Sequence, residues 1–195
     1  MGIRGMGRIR RIGGTGSWPI WALPRWLRTF ICLVVLADAV FLAVAASRVS
    51  IHTHDLVLFA ALIACSTATV ELTRRVGENT GFVKDVHAIW ELPVAMLLPV
   101  AYAPVLPIIR FTLTQWRIRR VPVYRRAFSA AAIGLSYVAA ALVFHALIRL
   151  APGAPSNPGG HALIWMVLVA ACALVMWVVN QSLVLTAIKG SDRSP

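Results

Sequence analysis

Glu91 and Arg110 stand out in this 195-residue chain because both are ionisable and both sit inside otherwise apolar sequence. They bracket the run LPVAMLLPVAYAPVLPII, which carries Pro93, Pro99, Pro104 and Pro107. An ion in a low-dielectric setting is expensive, so such side chains pair with an opposite charge or line a polar cavity. The two residues lie almost equally far from the middle of the run. If the run doubles back, they reach the same depth and form an ion pair, with His87 one helical turn from Glu91. A structural clamp on a short hairpin and a ligand or proton site are both consistent with that pairing. Asp38, near the middle of the first apolar run, has no partner visible in sequence. It is either hydrogen-bonded by neighbouring helices or by Arg110, or it belongs to an intramembrane polar site with Glu91, Arg110 and His87.

Other chemistry is poorly supported. His52, His54, His145 and His161 fall near the ends of apolar runs, and only His52 and His54 have a ligand-like local spacing. No metal and no cofactor is therefore expected. His54-Asp55 has nothing around it that would make a phosphohydrolase. The signatures G-x-S-x-G, H-E-x-x-H, C-x-x-C and the phosphate-binding loop are absent from the sequence, so no catalytic residue is assigned and no enzyme is expected. Cys32, Cys65 and Cys172 lie mid-run, too dispersed for a disulfide framework, and are expected to be buried packing residues.

Composition dictates what must position these groups. The chain is 59% hydrophobic and 13% charged, with a mean hydropathy of +0.77. A soluble domain carries about a quarter charged residues. Lipid must cover much of this surface, which predicts an all-α, polytopic integral membrane protein. The net charge of +12 does not imply nucleic acid, because the bases form short runs beside apolar segments. That is the pattern of cytoplasmic loops and anionic-lipid contact.

In chain order, residues 1–28 read as a basic cytoplasmic tail, disordered up to Trp18 or Trp21. Trp18, Trp21 and Trp26 suit the headgroup layer. Residues 29–188 form the membrane domain, and 189–195 a cytoplasmic tail. The first apolar run, Thr29–Ala46, is about 18 residues, longer than a signal-peptide core of roughly 7–15, so an uncleaved helix is predicted. A second span runs to about Leu72, and a charged loop, Thr73–Asp85, precedes the proline-rich stretch. Arg117, Arg119, Arg120, Arg125 and Arg126 make the densest basic loop, facing lipid headgroups or a cytoplasmic partner. In the span Ala127–Ile148, Ala132, Ser136 and Ala140 recur every fourth position, which lets a neighbouring helix approach closely. His161–Ile188 is the last span.

The lysines and arginines decide between two drawings. If His87–Gln115 crosses once, giving five spans, ten bases fall on one side and eight on the other. If it folds into two legs turning near Pro99–Pro104, the division becomes sixteen against two. Short cytoplasmic loops are enriched in Lys and Arg, so about six membrane segments with both termini cytoplasmic are predicted. Each leg has only about 14 residues, or about 21 Å of helix, against a hydrocarbon core of roughly 30 Å. The legs are therefore re-entrant or shielded by other helices.

The stretch Leu92–Ser136, in its "LP-apolar-LLP" leg, "TQWRIRR" and "YRRAFSAA", resembles the multi-helix membrane sensor region that precedes diguanylate cyclase (GGDEF) or HD-GYP domains in bacterial proteins. The likeness extends weakly to VVNQSLVLTAI in the last span. It implies a sensory or regulatory module in the bacterial cytoplasmic membrane. No GGDEF, EAL or GYP sequence occurs in the chain, so cyclic-dinucleotide chemistry does not carry over. The partners expected are anionic lipid headgroups, a cytoplasmic signalling protein and a second copy of the chain, with no nucleic acid. The alternative is a small-solute transporter or its substrate-binding subunit, built around Asp38, Glu91 and Arg110; short broken helices at mid-membrane are a transporter feature.

Overall fold

The computed structural model describes residues 20–50, 52–75, 82–117, 122–150 and 162–192, and every regular element in them is helical. Six α-helices follow one another: α1 (Arg25–Arg48), α2 (Thr53–Arg75), α3 (Phe82–Leu97), α4 (Val105–Arg117), α5 (Val123–Leu150) and α6 (Ala162–Asp192). Short 3-10 turns occupy Ile20–Ala22 and Val100–Tyr102. Three stretches, Arg25–Arg48, Val123–Arg149 and Ile164–Gly190, are long and apolar enough to cross a membrane. By that measure this is a membrane protein.

The proline-rich stretch reverses direction where its prolines dictate. Pro99 has no N–H to continue α3, and the residue before a proline is pushed out of the helical region. The chain closes a tight turn instead, with Tyr102 N–H donating to the Pro99 carbonyl at 3.0 Å and Ala103 N–H to that of Val100 at 3.2 Å. Pro104 then leads into α4, and Pro107 sits in its first turn, where a backbone donor has no intrahelical acceptor anyway. Pro93 lies inside α3 and removes one interior hydrogen bond. The legs α3 and α4, of 16 and 13 residues, both pack on α5.

α5 is the axis of the bundle, touching α1, α3, α4 and α6. Half of its apolar stretch is buried, against 11% for α6, so α6 is a peripheral helix and α5 a central one. Small side chains allow this. Ala132, Ser136 and Ala140, the expected four-residue repeat, are all buried, and Ala131 and Ala141 join them. Leu27, Ile31 and Val34 of α1 pack on Phe128, Ala131 and Ala132, with the Phe30 and Phe128 rings 6.0 Å apart. Farther along α5, Ala140 and Phe144 meet Cys172 of α6. The outward faces are apolar: Leu33, Leu36 and Val40 on α1, and Met166, Leu174 and Trp177 on α6, are exposed. Contiguous apolar surface of this kind is covered by lipid or protein, not water.

Several boundaries and burials depart from the sequence reading. α1 begins at Arg25, so the end of the expected 1–28 tail is helical; residues 1–19 lie outside the described residues. α3 begins at Phe82, inside the expected loop, and α6 continues past Ile188 to Asp192. Lys, Asp, Gly and Ser are tolerated at helix ends, where hydropathy alone cuts the helix short. Cys32 and Cys65 are exposed, and only Cys172 is buried as expected. A mid-span position is buried only when its helix is surrounded, and α1 and α2 are packed on one side.

Candidate functional site

Glu91 is the most deeply placed charged side chain described, 1% exposed. Nη1 of Arg110 donates to both of its carboxylate oxygens at 3.1 Å, and the Tyr137 hydroxyl donates to Oε2 at 2.5 Å. Nineteen residues of unbroken helix would separate Glu91 from Arg110 by about 28 Å. Their contact requires the chain to turn back between α3 and α4, and both helices reach it by packing on α5. Each member comes from a different helix: Glu91 from α3, Arg110 from α4 and Tyr137 from α5. A carboxylate with charge-assisted donors on both oxygens tolerates burial that an unpaired one does not. The arrangement is therefore a three-helix polar node that fastens both legs to the axis of the bundle.

The packing around this node is apolar and close. Ala95 and Ala103 cluster with Tyr137, Val138 and Ala141, and Phe41 of α1 lies against them. On the other side of α3, the Trp90 indole N–H donates to Thr69 Oγ1 of α2 at 3.0 Å. Val94, Leu98, Tyr102 and Leu106 pack with Leu58, Phe59 and Leu62 of the same helix. The Tyr102 ring tilts against Phe59 at 5.1 Å, but its hydroxyl is buried with no hydrogen-bond partner.

Asp38 occupies a second buried position. It is 6% exposed, facing Gly134 of α5 and the backbone of Pro104 at the start of α4. A Cβ at position 134 would lie 2.6 Å from Asp38 Oδ1 and 3.4 Å from Pro104 Cα, so glycine is what makes room for the carboxylate. Oδ1 has no hydrogen-bond partner. The expectation that Asp38 is satisfied by neighbouring helices or by Arg110 does not hold for this oxygen. The helix backbone at this depth has no spare N–H to offer, and Arg110 Nη1 is directed to Glu91.

His87 lies in the helical backbone of α3, but its side chain is outside what the structure describes. Of the basic cluster, Arg119 and Arg120 lie outside the described residues, as does the Arg117 side chain. Arg125 is exposed beside the Tyr124 hydroxyl, while Arg126 is half-buried with its guanidinium 5.8 Å from the Phe111 ring of α4. Arg110 approaches the same ring at 5.5 Å. Arg126 is thus partly an α4–α5 packing residue, not wholly a headgroup contact. Among the described histidines, His52 and His54 are exposed at the start of α2, and His145 lies on α5. His161 is outside the described residues.

His145 takes part in another feature that the sequence did not announce. Its Nε2 lies 3.4 Å from the Leu98 carbonyl, at the hairpin tip. Beside that contact an open groove of about 520 Å³ is lined by Pro99, Val100, Leu142, His145, Ala146 and Arg149. Comparison of the chain with family models, curated proteins and solved structures returns no match.

Proposed function

We propose that the chain is a sensory or regulatory module of the bacterial cytoplasmic membrane, acting by binding and transmission and not by catalysis. In this reading α3 and α4 form a short hairpin within six membrane segments, and both termini are cytoplasmic. Sixteen bases against two on the opposite faces support that orientation. The likeness of Leu92–Ser136 to sensor regions preceding cyclase and HD-GYP domains supports the role. Anionic headgroups and a cytoplasmic signalling protein would meet the basic connector between α4 and α5, and a second copy of the chain is a further partner.

The observation that carries the proposal is the Glu91–Arg110–Tyr137 node. A short, proline-ended hairpin held to the bundle axis by a few directional polar contacts has discrete arrangements, bonded or released, as switching elements do. Release at Glu91 would free α4, which leads directly into the basic connector. The test is a distance distribution between spin labels at Thr112→Cys on α4 and Leu185→Cys on α6, in a background lacking the native cysteines. Glu91→Gln should shift the population in lipid bilayers. A distribution unchanged by that substitution would count against transmission through the node.

A transporter is the second reading, favoured by the unpartnered Oδ1 of Asp38 beside the broken helix. Solute uptake into proteoliposomes that is lost in Asp38→Asn would establish it in place of the first.

A further inference from the structure

The groove at the hairpin tip has two kinds of wall. Pro99, Val100, Leu142 and Ala146 are apolar, whereas Arg149 and His145 bring nitrogen donors and, among the described residues, no acid lines it. An occupant must therefore combine an anionic group with an apolar body. Its place along α5 narrows the choice further. The apolar stretch of this helix ends at Arg149, so the cationic mouth lies where hydrocarbon gives way to headgroups. Leu142, two turns deeper, is half exposed on the wall of the same groove, where an acyl chain would run. A volume of about 520 Å³ is ample for a glycerophosphate head and the first carbons of its chains.

We infer that this groove binds an anionic phospholipid of the surrounding bilayer, with its phosphate at Arg149 and His145. His145 also gives the site a means of being felt. A carbonyl only accepts, so in the 3.4 Å contact the ring Nε2–H donates to Leu98. That separation exceeds the usual 2.7–3.2 Å range, roughly, for N–H···O bonds. A phosphate oxygen is the stronger acceptor, because charge-assisted bonds are about twice as strong as neutral ones. Lipid in the groove would draw the imidazole from Leu98 and loosen the tip of the hairpin. This consequence rests on the sensory reading above; the binding does not.

The test uses the full chain in detergent, titrated with phosphatidylglycerol or phosphatidylcholine and read by native mass spectrometry. Phosphatidylglycerol should be retained preferentially. Arg149→Gln should weaken it roughly tenfold, as expected for one lost charge-assisted contact. Arg48→Gln, at the end of α1, should leave it unchanged. Equal retention of the two lipids, or equal loss from Arg48→Gln and Arg149→Gln, would overturn the site. Displacement of the lipid by millimolar inorganic phosphate would show a soluble anion site and overturn the lipid assignment. Because the readout is bound lipid, its failure leaves the spin-label test of the node untouched, and the reverse also holds.

Discussion

Replacing Arg110 with methionine removes the cation bonded to a carboxylate that is 1% exposed. Methionine keeps most of the apolar stem, so the loss is chiefly electrostatic. Breaking a buried pair by deleting one partner destabilises by about 3–5 kcal/mol, because the other charge is left uncompensated. Glu91→Gln should do much less. The Tyr137 hydroxyl can still donate to the amide oxygen, and the Arg110 side chain, 17% exposed, can turn towards headgroups or water. Hydrogen bonds in membrane bundles average about 0.6 kcal/mol, so a cost of about 1–2 kcal/mol is expected for that variant. The double variant leaves no charge at the node and should be about as stable as Glu91→Gln alone. The cycle should then give a coupling of at least about 2 kcal/mol, the signature of directly interacting residues. Reversible unfolding of purified protein in mixed micelles, followed by helical circular dichroism, supplies the three differences. Additive effects, or Glu91→Gln worse than Arg110→Met, would refute the reasoning about which charge is the deeper.

Gly134→Ala should destabilise by about 1–3 kcal/mol, the usual range for overpacking, since its Cβ would strike Asp38 Oδ1. In an Asp38→Ala background most of that penalty should vanish, as the same unfolding assay would show. Tyr102→Phe deletes a buried hydroxyl with no partner and should be neutral or stabilising by up to about 1 kcal/mol. A loss above that would mean the hydroxyl is satisfied in the folded protein. Gly190→Ala meets the Trp26 indole, which lies where the new methyl would go, so it should lower the unfolding temperature in wild type and not in Trp26→Ala.

The Glu91–Arg110 contact was legible because its signal is local. Two ions flank a proline-rich run symmetrically, and the prolines put the reversal near Pro99–Pro104, within the connection that the structure shows between α3 and α4. The repeat Ala132, Ser136, Ala140 was legible for the same reason, since a four-residue spacing marks one helix face. Tyr137 was missed: it lies 46 residues from Glu91, and which helix closes on the hairpin is a tertiary choice. The one available clue was a hydroxyl-bearing ring in an alanine-rich span. The Asp38–Gly134 notch and the Trp26–Gly190 contact each join residues nearly a hundred or more positions apart, beyond any periodicity. Burial of Cys32 and Cys65 was misjudged because hydropathy does not distinguish a lipid-facing residue from a packed one.

The reversal of the hairpin fixes on which side of the membrane its basic connector emerges, and the functional reading depends on that side. Val123→Cys at the exposed start of α5, in a chain otherwise free of cysteine, can be probed with an impermeant maleimide on intact cells. Ser50→Cys, exposed between α1 and α2, serves as the opposite marker. Ser50→Cys should label from outside, and Val123→Cys only after permeabilisation. Labelling of Val123→Cys in intact cells would place the arginines on the far side and contradict the account.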